Sequence, residues 1–279
     1  MINLLKMKYI RRFYYTLNPQ MRFFVRRVYY FLYDIIYREP GMPPTGLIYT
    51  GSGDFKKQGI AWRSFFIENG LSAEHTFLDI GSGIGRIALG LKDFLQGPYQ
   101  GFEAMEVGVN WCQKNITVKY PNFQFKWVPL YNDLYNSDGI DAAIYQFDYH
   151  DDTFDFAASI SVFTHMIDSE VENYLSQSNR VLKNDGILVA TFFITDDNHL
   201  SHENANKNFT FPHEYEYYYL MDKKVKSANV CFKRKYLISL FEKTGFIIVN
   251  EIKGFWSGSP KEHDLGFQDI IVLKKVKQI

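Results

Sequence analysis

The chain has 279 residues, enough for one sizeable domain with additions and for a full hydrophobic core. Its 31 Lys and Arg balance 31 Asp and Glu, which excludes a global electrostatic field able to draw nucleic acid or an acidic polymer. Two cysteines only, Cys112 and Cys231, lie far apart, which excludes a disulfide framework and a CxxC redox or metal motif.

Aromatic residues are abundant, with 25 Phe, 20 Tyr and 4 Trp. Core packing is the first explanation, and a stacking surface for a flat or sugar-like ligand the second. No uncharged apolar run approaches the roughly 20 residues of a membrane span, and no signal-peptide pattern opens the sequence, so a cytoplasmic protein is expected.

In chain order, residues 1–45 form a separate arm. Its first 40 residues hold Lys6, Lys8, Arg11, Arg12, Arg22, Arg26, Arg27 and Arg38 against Asp34 and Glu39. Within residues 21–37, Phe24, Val25, Val28, Phe31, Leu32, Ile35 and Ile36 recur at helical spacing with the arginines off that stripe, which predicts an amphipathic helix. Such a helix can lie on an anionic membrane surface, bind a protein partner, cover the active-site cleft, or simply pack on the domain. Pro and Gly in EPGMPPTG, residues 39–46, end the arm.

The glycine-bearing loop YTGSGDFKKQG, residues 49–59, leads into a helix-like stretch through Phe66. Strands are then predicted over 75–80, 98–103, 123–128, 154–160 and 186–194, with helices over 84–95, 106–117 and 168–182. This alternation predicts a doubly wound α/β domain over residues 46–279. Residues 195–230 are polar, then aromatic, and too long for an ordinary connection, so an inserted lid is expected there. A helix over 234–245 and strands over 246–252 and 268–275 complete the chain, with the Gly, Trp and Ser of GFWSGSP in the turn between those strands.

The chemistry concentrates in FLDIGSGIGRIALGL, residues 77–91. Asp79, Gly81, Gly83 and Gly85 let the chain leave a strand in a tight turn that brings ligand atoms against bare backbone, and Arg86 then starts a helix. A dinucleotide fingerprint needs two residues between its last glycines, whereas only Ile84 stands here, and a Walker lysine is absent. Adenosylmethionine fits better, because its ribose diol and zwitterionic tail welcome acids where a phosphate would be repelled. Glu103 ends the next predicted strand, in GFEAME, where a carboxylate can accept from both ribose hydroxyls.

With FDFAASISVFTHM at residues 154–166, these stretches resemble the class I adenosylmethionine-dependent methyltransferases over about residues 47–276. The resemblance implies a seven-stranded, mostly parallel sheet of order 3-2-1-4-5-7-6 with an antiparallel last strand. It also implies Asp79 near the methionine end, Gly81, Ser82, Gly83, Gly85 and Arg86 against the cofactor, and Glu103 with Ala104 and Met105 at the ribose and beyond. A less characterised subgroup is echoed by GLIYTGSGDFKKQG, YNDLYN at 131–136 and the GFWSG...FQD ending, which adds Thr50 and Gly51 at the amino-acid end. Many members place an acid after the third strand for the adenine amino group, but WVPLYND has Pro129 and Leu130 there. Adenine is therefore expected on Met105, Leu130 or Tyr131, with Asn132 as polar contact and Ser161 nearby.

For the transfer itself, His165 in SVFTHM is the first candidate for a general base, and His213 in the lid the second. His150 with Asp151 is weaker. Asp196, Asp197, His199 and His202 are metal-competent but match no ligand spacing, so no metal is expected. Trp256 between glycines suits a substrate platform or a plug at the sheet edge. The expected activity is methyl transfer to a small or medium hydroxylated acceptor such as a sugar or glycan precursor. The alternatives are a nicotinamide-dependent oxidoreductase, or a non-catalytic membrane- or partner-binding module with a vestigial cofactor site.

Overall fold

A computed structural model describes residues 19–49, 51, 53–133, 138–196, 209–258, 260–261 and 264–276. Strand β1 (Phe77–Ile80) lies at the centre of the sheet, parallel to β2 (Tyr99–Glu103) on one side and to β4 (Phe154–Ser159) on the other. Outside β2 runs β3 (Phe123–Trp127), and outside β4 runs β5 (Leu182–Thr195), both parallel. Beyond β5, β10 (Asp269–Lys275) is antiparallel and pairs with β9 (Phe246–Ile252). Followed along this path, the order is the expected 3-2-1-4-5-7-6.

Among the described residues ten strands are present rather than seven. The extra three come from the region read as a lid and the residues directly after it. There β6 (His213–Glu214), β7 (Tyr218–Leu220) and β8 (Val230–Lys233) form an antiparallel set, and β8 joins the last residues of β5 in parallel, Phe193 to Thr195 against Cys231 to Lys233. Strand β5 has 14 residues, beginning four earlier than its apolar run predicts; β10 pairs with its residues 187–192, which leaves its far end, 193–195, to this additional neighbour.

All four residues of β1 are buried and alternate between two cores. Leu78 and Ile80 face one apolar layer with α5 (Asp168–Val181) and α6 (Arg234–Lys243). Phe77 faces the other, with α2 (Phe55–Glu68), α3 (Arg86–Leu91) and α4 (Glu106–Cys112). The register sets Phe77 directly opposite Tyr99 and Phe156, and Tyr99 opposite Phe123. Their rings stack at 5.5, 5.6 and 4.8 Å, forming an aromatic ladder across four strands. Such cross-strand pairs each add about 0.5–1.5 kcal/mol beyond simple burial. Much of the aromatic content is thus spent on packing.

The arm contributes α1 (Pro19–Tyr37). It rests on the domain through its polar edge: Arg26 Nη2 donates to the Ile48 carbonyl at 2.6 Å, and Asp34 Oδ1 accepts from the Thr45 N–H at 3.0 Å. The stripe with helical apolar spacing faces away, with Phe24, Val28, Phe31, Leu32, Ile35 and Ile36 all exposed.

Candidate active site

The carboxyl ends of β1, β2 and β4 open onto one cleft of about 880 Å³, counted to its open mouth. That is the end of an open α/β sheet where ligands bind, at the point where strand order reverses on either side of β1.

After Ile80 the chain turns at Gly81, Gly83 and Gly85, whose φ angles of 75°, 56° and 78° lie in the left-handed region that side chains strain to adopt. The Gly81 and Ser82 N–H groups both donate to the Phe102 carbonyl at 3.0 Å, which folds the turn back onto β2. A methyl at Gly81 would stand 2.4 Å from Val162, so the glycine also lets the turn approach the segment after β4.

Glu103 closes this arrangement. Its Oε2 accepts from the Gly83 N–H at 2.8 Å and its Oε1 from the Met105 N–H at 2.9 Å, so one carboxylate ties the glycine turn to the end of β2. Burial raises its pKa, and the N–H donors of Met105, Gly83 and Ala104, with the Tyr49 side chain, oppose that shift. Each oxygen has a second lone pair, which leaves accepting capacity on the cleft wall.

Asp79 lies beneath the turn rather than on the wall. The Tyr99 hydroxyl donates to its Oδ2, whereas Oδ1 has no partner among the described residues. Burial pushes its pKa up to about 7, against the Tyr99 bond and with the Glu103 charge adding to the rise. Ser82 Oγ is likewise buried without a partner there. Buried polar atoms are nearly always hydrogen-bonded, so two orphans beside a bare-backbone turn and an accepting carboxylate suit a ligand with a diol and a charged amino acid. Adenosylmethionine has those groups.

Gly81, Glu103, Ala104, Met105, Leu130, Tyr131, Asn132, Ser161 and His165 all line the cleft. Ser82, Gly83 and Gly85 form the turn behind it. Ser161 takes a left-handed φ of 59°, held by its N–H on Thr191 Oγ1 at 2.7 Å and its Oγ on Gln268 Oε1 at 2.9 Å. His165 ends the 3₁₀ turn Phe163–His165, and its Nδ1 lies 2.7 Å from the Ser227 carbonyl. A carbonyl only accepts, so Nδ1 carries the hydrogen and the neutral ring keeps its lone pair on Nε2. Burial lowers its pKa, partly offset by the carbonyl partners at Ser227 and Ala228.

The inserted region reaches the cleft through the turn Lys226–Ala228. Besides taking His165, that turn donates the N–H groups of Lys226 and Ser227 to the Asp133 carboxylate at 2.8 and 3.2 Å, which fastens the loop after β3 to it.

Other expected residues lie elsewhere. The Arg86 guanidinium sits over the Phe55 ring at 4.6 Å and donates to Gln58, facing α2 and Gly51 instead of the cleft. His213 is half-buried on β6, opposite Leu220, away from the cleft wall. Thr50, Asp197, His199 and His202 lie outside the described residues. Trp256 is no platform: it is buried against Phe193 and Phe211, with its Nε1 donating to Asp269 Oδ2 at 2.7 Å.

Sequence reasoning missed Tyr49, Val162, Met166, Glu170 and Tyr174 on the cleft wall. Glu170 carried a readable signal, an acid in the first turn of a predicted helix, three residues after the cap residue Ile167, and its Oε2 does accept from the Ile167 N–H at 2.7 Å. Burial pushes its pKa up to about 7, with Asp141, Asp133 and Asp168 adding.

Residues 78–190 match the family model described as a methyltransferase domain. Among solved structures, a protein of Pyrococcus horikoshii OT3 is 17% identical with a TM-score of 0.58, over 88% of this chain and 99% of that one. An S-adenosylmethionine-dependent methyltransferase of Methanosarcina mazei is 20% identical at 0.52, over 76% and 98%. A 1,6-didemethyltoxoflavin-N1-methyltransferase of Burkholderia thailandensis, solved with bound 1,6-didemethyltoxoflavin and S-adenosylhomocysteine, is 15% identical at 0.50, over 91% and 86%.

The fold is a Rossmann-like α/β fold with its cleft at the strand switch point. Residues 78–190 carry a methyltransferase domain, on the α/β fold seen in adenosylmethionine-dependent methyltransferases. Adenosylmethionine is the cofactor that suits the matched domain and this cleft, which favours the methyltransferase reading over the nicotinamide one.

Proposed function

We propose that the enzyme methylates a hydroxyl of a small or medium acceptor, a sugar or glycan precursor, with His165 as general base. The observation that carries this is His165 itself: a half-buried imidazole on the cleft wall, held by Ser227 in the tautomer that accepts at Nε2, with desolvation lowering its pKa. Adenosylmethionine supplies an electrophilic methyl group on sulfur. A hydroxyl is a weak nucleophile until it loses its proton, so a positioned base favours an oxygen acceptor, and alignment does the rest. The Tyr, His and Asn content of residues 195–230 suits hydrogen bonding to such an acceptor.

At the nucleoside end, Glu103 takes the ribose hydroxyls, while Met105 and Leu130 flank the adenine. Glu170 supplies there the acid missing at Pro129 and Leu130, accepting from the adenine amino group. Its lining of the same cleft, together with Leu130, supports this role.

The experiment is methyl transfer from labelled cofactor to a panel of hydroxylated acceptors, with the product read by mass. His165→Ala is expected to lower kcat by about a hundredfold or more and leave cofactor affinity within about twofold. An unchanged kcat excludes His165 as the base, and a nitrogen-methylated product excludes the acceptor class. For the adenine contact, Glu170→Gln is expected to lose affinity for S-adenosylhomocysteine but not for its inosine counterpart, which has no amino group. Equal losses for both exclude the contact.

A further inference from the structure

The outward face of α1 is unlike the rest of the surface. Phe31, Leu32, Ile35 and Ile36 are 61, 71, 66 and 69% exposed, and Phe24, Val25 and Val28 extend the same stripe toward the helix start. At about 100° per residue the stripe from Phe31 to Tyr29 covers roughly 160° of the circumference. A surface helix normally buries such a stripe and solvates its polar edge. Here the reverse holds, because the polar edge makes the docking bonds, Arg26 to Ile48 and Asp34 to Thr45. A methyl at Gly46 would lie 2.7 Å from the Arg27 backbone, so helix and turn are in close contact on that side.

The flanks of the stripe indicate what covers it. Exposed Arg27, with Arg38 just past the helix end, follows one edge, and Tyr29 and Tyr33 follow the other. Across the first 40 residues eight basic side chains face two acidic ones, whereas the whole chain is balanced. Phe, Leu and Ile between a basic edge and a tyrosine edge match the boundary between acyl chains and anionic headgroups, where long cationic side chains and phenol rings sit at the polar level. No described helix is long and apolar enough to cross a membrane, so the helix would lie in the interface plane.

We infer that α1 is an interfacial anchor that holds the enzyme on an anionic lipid surface. The inference is independent of the acceptor and of the role of His165. It explains why the apolar stripe faces outward: the polar edge fixes the helix to the turn before Tyr49, and the stripe is left for lipid.

The test is co-sedimentation of the full chain with phosphatidylcholine vesicles, with and without about a quarter phosphatidylglycerol, at low and high salt. Association with the anionic vesicles is expected, falling about tenfold or more on neutral vesicles and weakening in salt. Replacing Phe31, Leu32, Ile35 and Ile36 together by Ser should lower vesicle partition by a similar factor. The thermal shift given by S-adenosylhomocysteine should stay unchanged, because these side chains point away from the domain. Three results overturn the inference: no association of the wild type, association unaffected by the four serines, or a lipid-free dimer that the four serines dissolve, which would make a second copy the occupant.

Discussion

Asp79 is buried with one oxygen on the Tyr99 hydroxyl and the other without a partner, and its pKa is pushed up to about 7. The folded-state value exceeds the usual value of 3.8, so the native protein keeps a proton that the unfolded chain releases. The stability this contributes is fully present below about pH 4 and is lost as pH rises through about 7; the ionised carboxylate then costs on the order of 4 kcal/mol. Asp79→Asn keeps an acceptor for Tyr99 and removes the charge. In cofactor-free protein its melting temperature, relative to wild type, should therefore rise between about pH 5 and pH 8. A gap that stays constant over that range contradicts the assignment. The motif made Asp79 and Glu103 visible in the sequence because their spacing relative to the glycines is a property of the chain. The places of Glu170 and Tyr49 on the cleft wall were not visible, since they reach it from α5 and from the turn after the arm, and only tertiary packing sets those distances; the signal Glu170 carried was that of a helix cap.

Among the elements, α2 and α3 meet through two glycines. A methyl at Gly90 would lie 2.1 Å from the Gly59 carbonyl oxygen, and one at Gly59 would lie 2.7 Å from the Arg86 carbonyl. The two backbones thus touch, and α2 is held against the helix that follows the glycine turn. Backbone cannot give way as a flexible side chain can, so Gly90→Ala should cost about 1–3 kcal/mol in denaturant unfolding, with the larger loss if the helices cannot separate. A cost near zero would mean that the contact is not rigid. Helices and strands with strong periodicity were legible to within a few residues. Strands β6, β7 and β8 were not, because they have only two, three and four residues, in an aromatic run with no clear alternation. Their pairing is set by the long end of β5 rather than by local pattern. Trp256 illustrates the same point: between glycines it read equally as platform or plug, and the three donors converging on Asp269, from Gly254, Trp256 and Ile194, decide for the plug.

At the scale of the molecule, the order of the main strands followed from the family resemblance, while the sheet's three-stranded branch and the inverted docking of α1 required the structure. Amphipathic spacing in residues 21–37 predicted a helix without saying which face would meet the domain, because both the apolar stripe and the polar edge offer contacts. What unites fold and chemistry is the switch point at β1, where the glycine turn and the end of β2 are joined by the Glu103 carboxylate. Removing that group strands two N–H donors and, under the role proposed for Glu103, the ribose diol with them, each charge-assisted hydrogen bond being worth about 1.5–3 kcal/mol. The most direct measurement is calorimetric titration of S-adenosylhomocysteine into wild type and Glu103→Ala, with circular dichroism to verify that both are folded. One-site binding by the wild type, weakened about a hundredfold or more in a folded Glu103→Ala, is the expected result. No heat from the wild type, or equal affinity in the two proteins, would contradict it.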